Sequence, residues 1–135
     1  IRKYPHLMNF KDLEMAKLDI AEKVEQIISD NNLISICSVG VDSINIILNS
    51  KNKNIDVIPY TIKLINYINN NLNFQANISI GNAYPGFSSI CTSFSEAEMC
   101  IKYSYIYPEK NIFTTSEAIN WEMNSRETLR ILFIF

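Results

Sequence analysis

The sequence is short of residues on which several common functions depend. It has 135 residues and only three glycines, which leaves little material for the glycine-rich loops that cradle phosphates. Its one histidine, His6, stands beside Pro5 with no nucleophile nearby in sequence, so we expect it to be solvated or packed and not catalytic. The three cysteines are odd in number and lack CxxC spacing. They argue against a zinc site or a disulfide framework, and we expect Cys37, Cys91 and Cys100 to be ordinary buried small hydrophobes.

Charge and hydrophobicity are both moderate. The chain is 47% hydrophobic and 19% charged, with a formal net charge of −2. A protein without a basic excess offers no attractive field to nucleic acid, so we do not expect this chain to bind DNA by itself. No uncharged apolar run approaches the roughly 18–20 residues of a membrane span, and the N-terminus lacks the basic region and cleavage site of a signal peptide. We therefore expect a cytoplasmic domain that makes no membrane contact.

The first half of the chain predicts a helix, a hairpin and a second helix. Apolar residues recur at three- and four-residue steps after Asn9, which is typical of an amphipathic helix ending near residue 30. This stripe consists of Leu13, Ala16, Ile20, Val24, Ile27 and Ile28, and the polar side is expected to consist of Lys11, Glu14, Lys17, Glu22, Lys23 and Glu25. Two β-type runs, 33–39 and 44–48, flank a four-residue turn that contains Gly40, which predicts a β-hairpin. A second helix is expected to begin at Asn54 or Asp56, because Pro59 is tolerated only in a first turn. Its apolar stripe is expected to consist of Ile58, Ile62, Ile65, Ile68 and Leu72.

The second half adds a strand, a helix and another strand. Residues 75–81 alternate as a strand, and a helix capped by Ser88 or Ser89 ends before Pro108. Residues 111–115 form a short strand, and a final turn or helix contains Trp121. The predicted order is α-β-β-α-β-α-β, with no linker-like shift in composition. We expect one α+β domain over residues 1–135, in which amphipathic helices cover an antiparallel or mixed central sheet.

The ordered set of these segments resembles the GGDEF domains, a family of nucleotide cyclases. The hairpin segment 38–48 (SVGVDSINIIL) stands where those domains place their characteristic turn, and segment 76–81 (ANISIG) is similar to a later strand of the family. The segments at 93–98 (SFSEAE), 102–105 (KYSY) and 111–113 (NIF) are similar to the closing helix and strand. Segment 18–24 (LDIAEKV) resembles a helix of the GGDEF-like domains inside AraC-type transcription regulators of low-GC Gram-positive bacteria.

The resemblance covers about residues 10–120 and implies a nucleotidyl-cyclase-like sandwich. In the family, a GG(D/E)EF turn supplies two glycines and an acidic pair. This chain has Gly40, Val41, Asp42 and Ser43 there, so the second glycine and the adjacent glutamate are missing. Two Mg²⁺ ions on a triphosphate require several carboxylate oxygens. The family's first strand, which supplies another acidic metal ligand, would end at residues 1–4 with its main part upstream, and Arg2 and Lys3 offer cations there.

The resemblance therefore implies a degenerate member that is not an enzyme, with no catalytic residue, cofactor or metal. We expect Asp42 to hydrogen-bond its own backbone in the turn more readily than to bind a metal ion. The implied function is signal relay and dimerisation within an AraC-type regulator, between an upstream receiver or sensor module and a separate C-terminal DNA-binding domain. No helix-turn-helix is expected in this chain, and its apolar segment 126–135 is expected to pack on this domain or on a second copy.

Two alternatives stay open. The degenerate turn could serve a sensor domain that binds a nucleotide or a small metabolite and shifts an equilibrium between two arrangements. The chain could also be an unrelated α+β domain, such as a small-molecule enzyme, although its sequence shows no convergent nucleophile, base and acid.

Overall fold

The structure is a computed structural model that describes residues 2–3, 10–31, 33–52, 55–72 and 74–120. The chain folds as two compact units, Ile1–Ala76 and Asn77–Phe135. Both units contain helices and strands, which confirms the predicted α+β class. Asn9, His6, Trp121 and segment 126–135 lie outside the described residues, and the single domain expected over residues 1–135 stays a prediction.

The described residues of the first unit form two helices and four strands. In chain order these are β1 (Arg2–Lys3), α1 (Phe10–Ser29), β2 (Ile34–Val39), β3 (Ile44–Asn49), α2 (Ile58–Asn71) and β4 (Phe74–Gln75). Helix α1 packs on β2 and on α2. Its predicted stripe is largely buried, at Ala16, Ile20, Val24, Ile27 and Ile28. Burial of this apolar face against a strand and a second helix contributes to the stability of the unit.

Helix α2 begins at Ile58, two residues after Asp56, the later of the two predicted starts, and it buries a different set of residues from the predicted stripe. Pro59 lies in its first turn, and the Ile58 amide donates to Asp56 Oδ1 at 3.0 Å. The helix buries Thr61, Leu64, Ile65 and Ile68. Ile62, an expected member of its stripe, is 45% exposed. Leu64 occupies that face in its place, because the buried face follows α1 and β4 and not the isoleucine spacing alone.

In the second unit, the part of the chain that the structure describes forms two strands and a helix with short helical turns before and after it. In chain order these are β5 (Ile78–Ile80), a 3-10 helix (Phe87–Ser89), α3 (Ile90–Ile101), a second 3-10 helix (Lys102–Tyr105), β6 (Ile112–Thr114) and the helical residues 115–120. Helix α3 packs on β5 and β6 over a core of Cys100, Phe113 and Ala118. Ser89 stands at the start of α3, but its hydroxyl donates to Pro85 O at 3.4 Å and does not cap the helix.

The sequence predicts a single central sheet, and the pairing of the described strands shows that this prediction is wrong. The described strands form three two-stranded sheets: β1 with β4 and β2 with β3 are antiparallel, and β5 with β6 is parallel. The strand expected over residues 75–81 is broken at Ala76 and Asn77. Its two parts therefore pair with different partners, β4 with β1 and β5 with β6, and a continuous ladder through residues 75–81 does not form.

Candidate functional site

The hairpin turn lies where the sequence places it. Residues 40–43 join β2 to β3, whose last pair before the turn is Val39 with Ile44. The Gly40 amide donates to Ser43 O at 2.7 Å and closes the turn. A Cβ on Gly40 would lie 2.9 Å from Ser43 Oγ and 3.3 Å from Ser43 O. The glycine at the start of this turn therefore has a local reason, which is the close approach of the chain across the turn.

The side chains of the turn face solvent. Val41 is 78% exposed, and Asp42 and Ser43 are also exposed. The hydrogen bond that closes the turn joins two backbone groups. Among the described residues, no hydrogen bond of the Asp42 carboxylate is found, so the expected Asx-type bond to its own backbone is not seen. Asp42 thus presents one accessible carboxylate at the tip of the hairpin.

The structure adds a residue that the sequence interpretation placed on the polar side of α1. Lys17 is 1% exposed, and its Nζ lies beneath the hairpin turn. It donates to Gly40 O at 2.7 Å and to Val41 O at 2.9 Å, and it forms an ion pair with Glu14 Oε1 at 2.5 Å. An ammonium has three N–H donors, and three oxygens surround this one.

The spacing of α1 contained a signal for this placement. Lys17 stands four residues after Leu13 and three before Ile20, so it occupies a position of the buried stripe. A lysine at such a position is rarely fully buried unless its charge is paired. The sequence does not show which groups pair it, because the turn carbonyls are 23 and 24 residues away.

A polar contact also joins α1 to α2. Tyr67 donates from its hydroxyl to Asp19 Oδ1 at 2.8 Å, and Lys23 Nζ lies 5.0 Å from the centroid of the Tyr67 ring. Donation to the Asp19 carboxylate raises the pKa of the Tyr67 hydroxyl, with burial adding to the effect. A cleft of about 410 Å³ beside this contact is lined by polar and charged side chains of both helices, among them Lys63 and Asn66. The contact fixes α2 against α1.

In the second unit, the loop that follows β5 lies against α3. Gly81 follows β5 and lies so close to α3 that a Cβ on it would stand 2.0 Å from Ser93 O. Glu96 on α3 accepts from the Asn82 amide at 3.0 Å and from the Tyr84 hydroxyl. Donation to Glu96 raises the pKa of Tyr84. These contacts hold the loop after β5 against the helix.

The three cysteines occupy three different environments and all are free thiols. Cys100 is fully buried in the core of the second unit, and burial raises the pKa of its thiol. Cys37 on β2 is partly buried, and burial again raises its pKa, with the Glu25 charge adding to the shift. Cys91 is exposed on α3, so the expectation that all three are buried is wrong for this residue.

Within the parts of the chain that the structure describes, no three side chains of His, Cys, Asp or Glu come together as a metal site. The expectation that the chain uses no catalytic residue, cofactor or metal stays a prediction. None of the helices in those parts is long and apolar enough to cross a membrane. Comparison with protein-family models, with curated proteins and with solved structures found no match to this chain.

Proposed function

We propose that the chain is a non-catalytic signal-relay domain with a degenerate GGDEF-like scaffold, from an AraC-type transcription regulator. The motif order supports the proposal, since the hairpin, the ANISIG segment and the SFSEAE segment follow one another as they do in those domains. Amphipathic helix α1 precedes these segments, and α3 contains the last of them. One fold can host several unrelated functions, and the experiments below test the function on the protein itself.

The observation that carries the non-catalytic part is the chemistry of the hairpin turn. The turn offers one carboxylate, Asp42, and its backbone oxygens of Gly40 and Val41 already accept hydrogen bonds from Lys17. Metal-assisted transfer from a nucleoside triphosphate requires several oxygen ligands for Mg²⁺. A turn with a single carboxylate and an ammonium against its carbonyls is poorly suited to hold such a metal.

The regulatory part of the proposal assigns partners to the domain. An upstream receiver or sensor module would supply the signal, a separate C-terminal helix-turn-helix pair would bind DNA, and the domain would pass the signal on by self-association in the cytoplasm. A reading frame that encodes both flanking modules would support this assignment. Light scattering of the purified chain across a concentration series tests self-association, and a monomer at every concentration would contradict it.

The decisive experiment incubates the purified chain with GTP and Mg²⁺ and measures cyclic di-GMP by chromatography. We expect no product under conditions in which an active diguanylate cyclase converts the substrate. Product above the background of a protein-free reaction would overturn the proposal. In that case the Asp42→Ala variant would show whether the hairpin turn is the site of the reaction.

The second candidate is a sensor of nucleotides or small metabolites at the same turn. It is favoured by the exposure of the turn, since Val41 is 78% exposed and Asp42 is open to a ligand. A ligand present at 100 times its dissociation constant stabilises a protein by about 2.7 kcal/mol. A thermal-shift screen would detect this, and a shift that the Asp42→Ala variant abolishes would place the ligand at the turn.

A further inference from the structure

Lys17 joins two parts of the first unit that are distant in sequence. Its ammonium lies between Glu14 of its own helix and the carbonyl oxygens of Gly40 and Val41 in the turn. The side chain is almost completely shielded from solvent, with 1% of the residue exposed. The three oxygens come from α1 on one side and from the hairpin turn on the other.

Such an arrangement resists separation of its two parts. Removing an ammonium from water costs free energy, and its hydrogen-bond acceptors offset that cost. If a buried ammonium loses its acceptors, the cost is no longer offset. A hydrogen bond also weakens steeply once the donor and acceptor move beyond their normal distance. A shift of α1 by one residue along its axis is about 1.5 Å, which is more than half of the 2.7 and 2.9 Å that separate Lys17 Nζ from the two carbonyl oxygens. These contacts therefore oppose displacement of α1 relative to the turn.

We propose that Lys17 is a charged clamp that positions the hairpin turn and makes α1 and the turn move as one body. The contacts of Lys17 are sufficient evidence for the clamp itself. Its role in carrying a signal from α1 to the turn rests on the proposed relay function. Opening of the clamp would release the Gly40 and Val41 carbonyls and alter the surface that the turn presents to a partner.

The test compares Lys17→Met with Lys11→Met in the full chain. Methionine keeps most of the length and apolar stem of lysine but removes the charge and the donors, and Lys11 is an exposed lysine on the same helix. Hydrogen exchange of the turn, including the Gly40 amide that donates to Ser43 O, is measured by mass spectrometry or NMR. We expect exchange in the turn to be about tenfold faster in Lys17→Met, as for loss of a hydrogen bond to a charged group. Lys11→Met should match the wild type.

Three results would overturn the clamp. Unchanged exchange in the turn of Lys17→Met would show that the ammonium does not position it. Equal acceleration across α1, α2 and the hairpin would show that Lys17 contributes only to overall stability. If Lys17→Met fails to fold, the wild type is tested directly by ¹⁵N NMR of lysine ammonium groups. A buried, hydrogen-bonded ammonium exchanges its protons slowly, and absence of any such signal would also overturn the proposal.

The clamp is also expected to act in both directions, because coupling between two sites is reciprocal. Gly40→Ala places a Cβ 2.9 Å from Ser43 Oγ and so disturbs the turn without touching α1. We expect this change to shift the protected ammonium signal of Lys17. A signal that stays unmoved would contradict the coupling. Failure of the relay function can be distinguished from failure of the clamp. If a complete regulator keeps an unchanged transcriptional response although its turn is loosened, the relay role is rejected and the clamp itself still stands.

Discussion

The close approach of β5 to α3 gives the sharpest prediction about stability in the second unit. Gly81→Ala would place a Cβ 2.0 Å from Ser93 O, 2.6 Å from Ser93 Oγ and 2.7 Å from Ser93 C. Close carbon–oxygen contacts in proteins are about 3.3 Å or longer. The strand end and the helix would therefore have to separate by about 1.3 Å, and two of the three atoms in the way belong to the backbone of α3.

The expected cost follows from two opposing effects. Forcing atoms into a packed site costs typically about 1–3 kcal/mol, and a backbone obstacle places this substitution at the upper end. Replacing glycine also lowers the conformational entropy of the unfolded chain, which stabilises the folded protein by about 0.4–1 kcal/mol. We expect Gly81→Ala to lower the free energy of unfolding by about 2 kcal/mol or more, equivalent to a fall in Tm of roughly 7 °C for a chain of this size.

Urea unfolding followed by circular dichroism measures the loss, and hydrogen exchange over residues 77–120 shows whether it falls on the second unit. Gly86→Ala is the comparison variant, because its added Cβ has nothing within 4 Å and its cost comes only from the backbone angle φ of +79°. The double variant Gly81→Ala, Ser93→Gly removes the Oγ contact but leaves the carbonyl at 2.0 Å. It should recover less than half of the loss.

A Gly81→Ala protein whose unfolding free energy lies within about 0.5 kcal/mol of the wild type would refute this reasoning, because surface substitutions away from special contacts fall in that range. Full recovery in the double variant would also refute it, since the obstacle would then be a movable side chain.

Two further predictions concern titration and reactivity. Donation to Glu96 raises the pKa of the Tyr84 hydroxyl above its ordinary value near 10, so the stability from this contact is complete below pH about 10 and is lost as the pH rises through the raised pKa. Absorbance titration of phenolate should show that Glu96→Gln moves one tyrosine back toward the ordinary value. Among the thiols, iodoacetamide should modify exposed Cys91 first and Cys100 only on unfolding, because burial raises the pKa of Cys100 and blocks access. Peptide mass spectrometry follows both sites.

Each of these two predictions can be contradicted by a specific result. Identical phenolate titrations of the wild type and Glu96→Gln would mean that the Tyr84 contact has no effect on its ionisation. Modification of Cys100 at the rate of Cys91 in the native protein would contradict its burial in the core of the second unit.

Local patterns were enough to predict most elements. The stripe of α1 and the position of the hairpin follow from apolar spacing and from Gly40, and the structure has α1 at Phe10–Ser29 and the strands at Ile34–Val39 and Ile44–Asn49. These signals suffice because a helix face and a two-stranded ladder are formed by residues close in sequence. The α+β class follows from the same pattern.

Contacts between residues that are far apart in the sequence could not be predicted from these local patterns. The division of the strand expected at 75–81 depends on which partner each half pairs with, and the alternation of apolar residues is the same in either case. The approach of Gly81 to Ser93 likewise joins two segments whose separation the sequence does not encode locally.

The amino-acid sequence by itself determined that helices and strands alternate here, that a glycine-containing turn closes the hairpin, and that this turn carries one carboxylate. Only the tertiary structure decided that Lys17, a charged residue at a stripe position, is buried against the turn carbonyls. The physical reason is that spacing along a helix specifies which residues face inward, whereas the partner that satisfies a buried charge is specified by the packing of segments that are far apart in the chain.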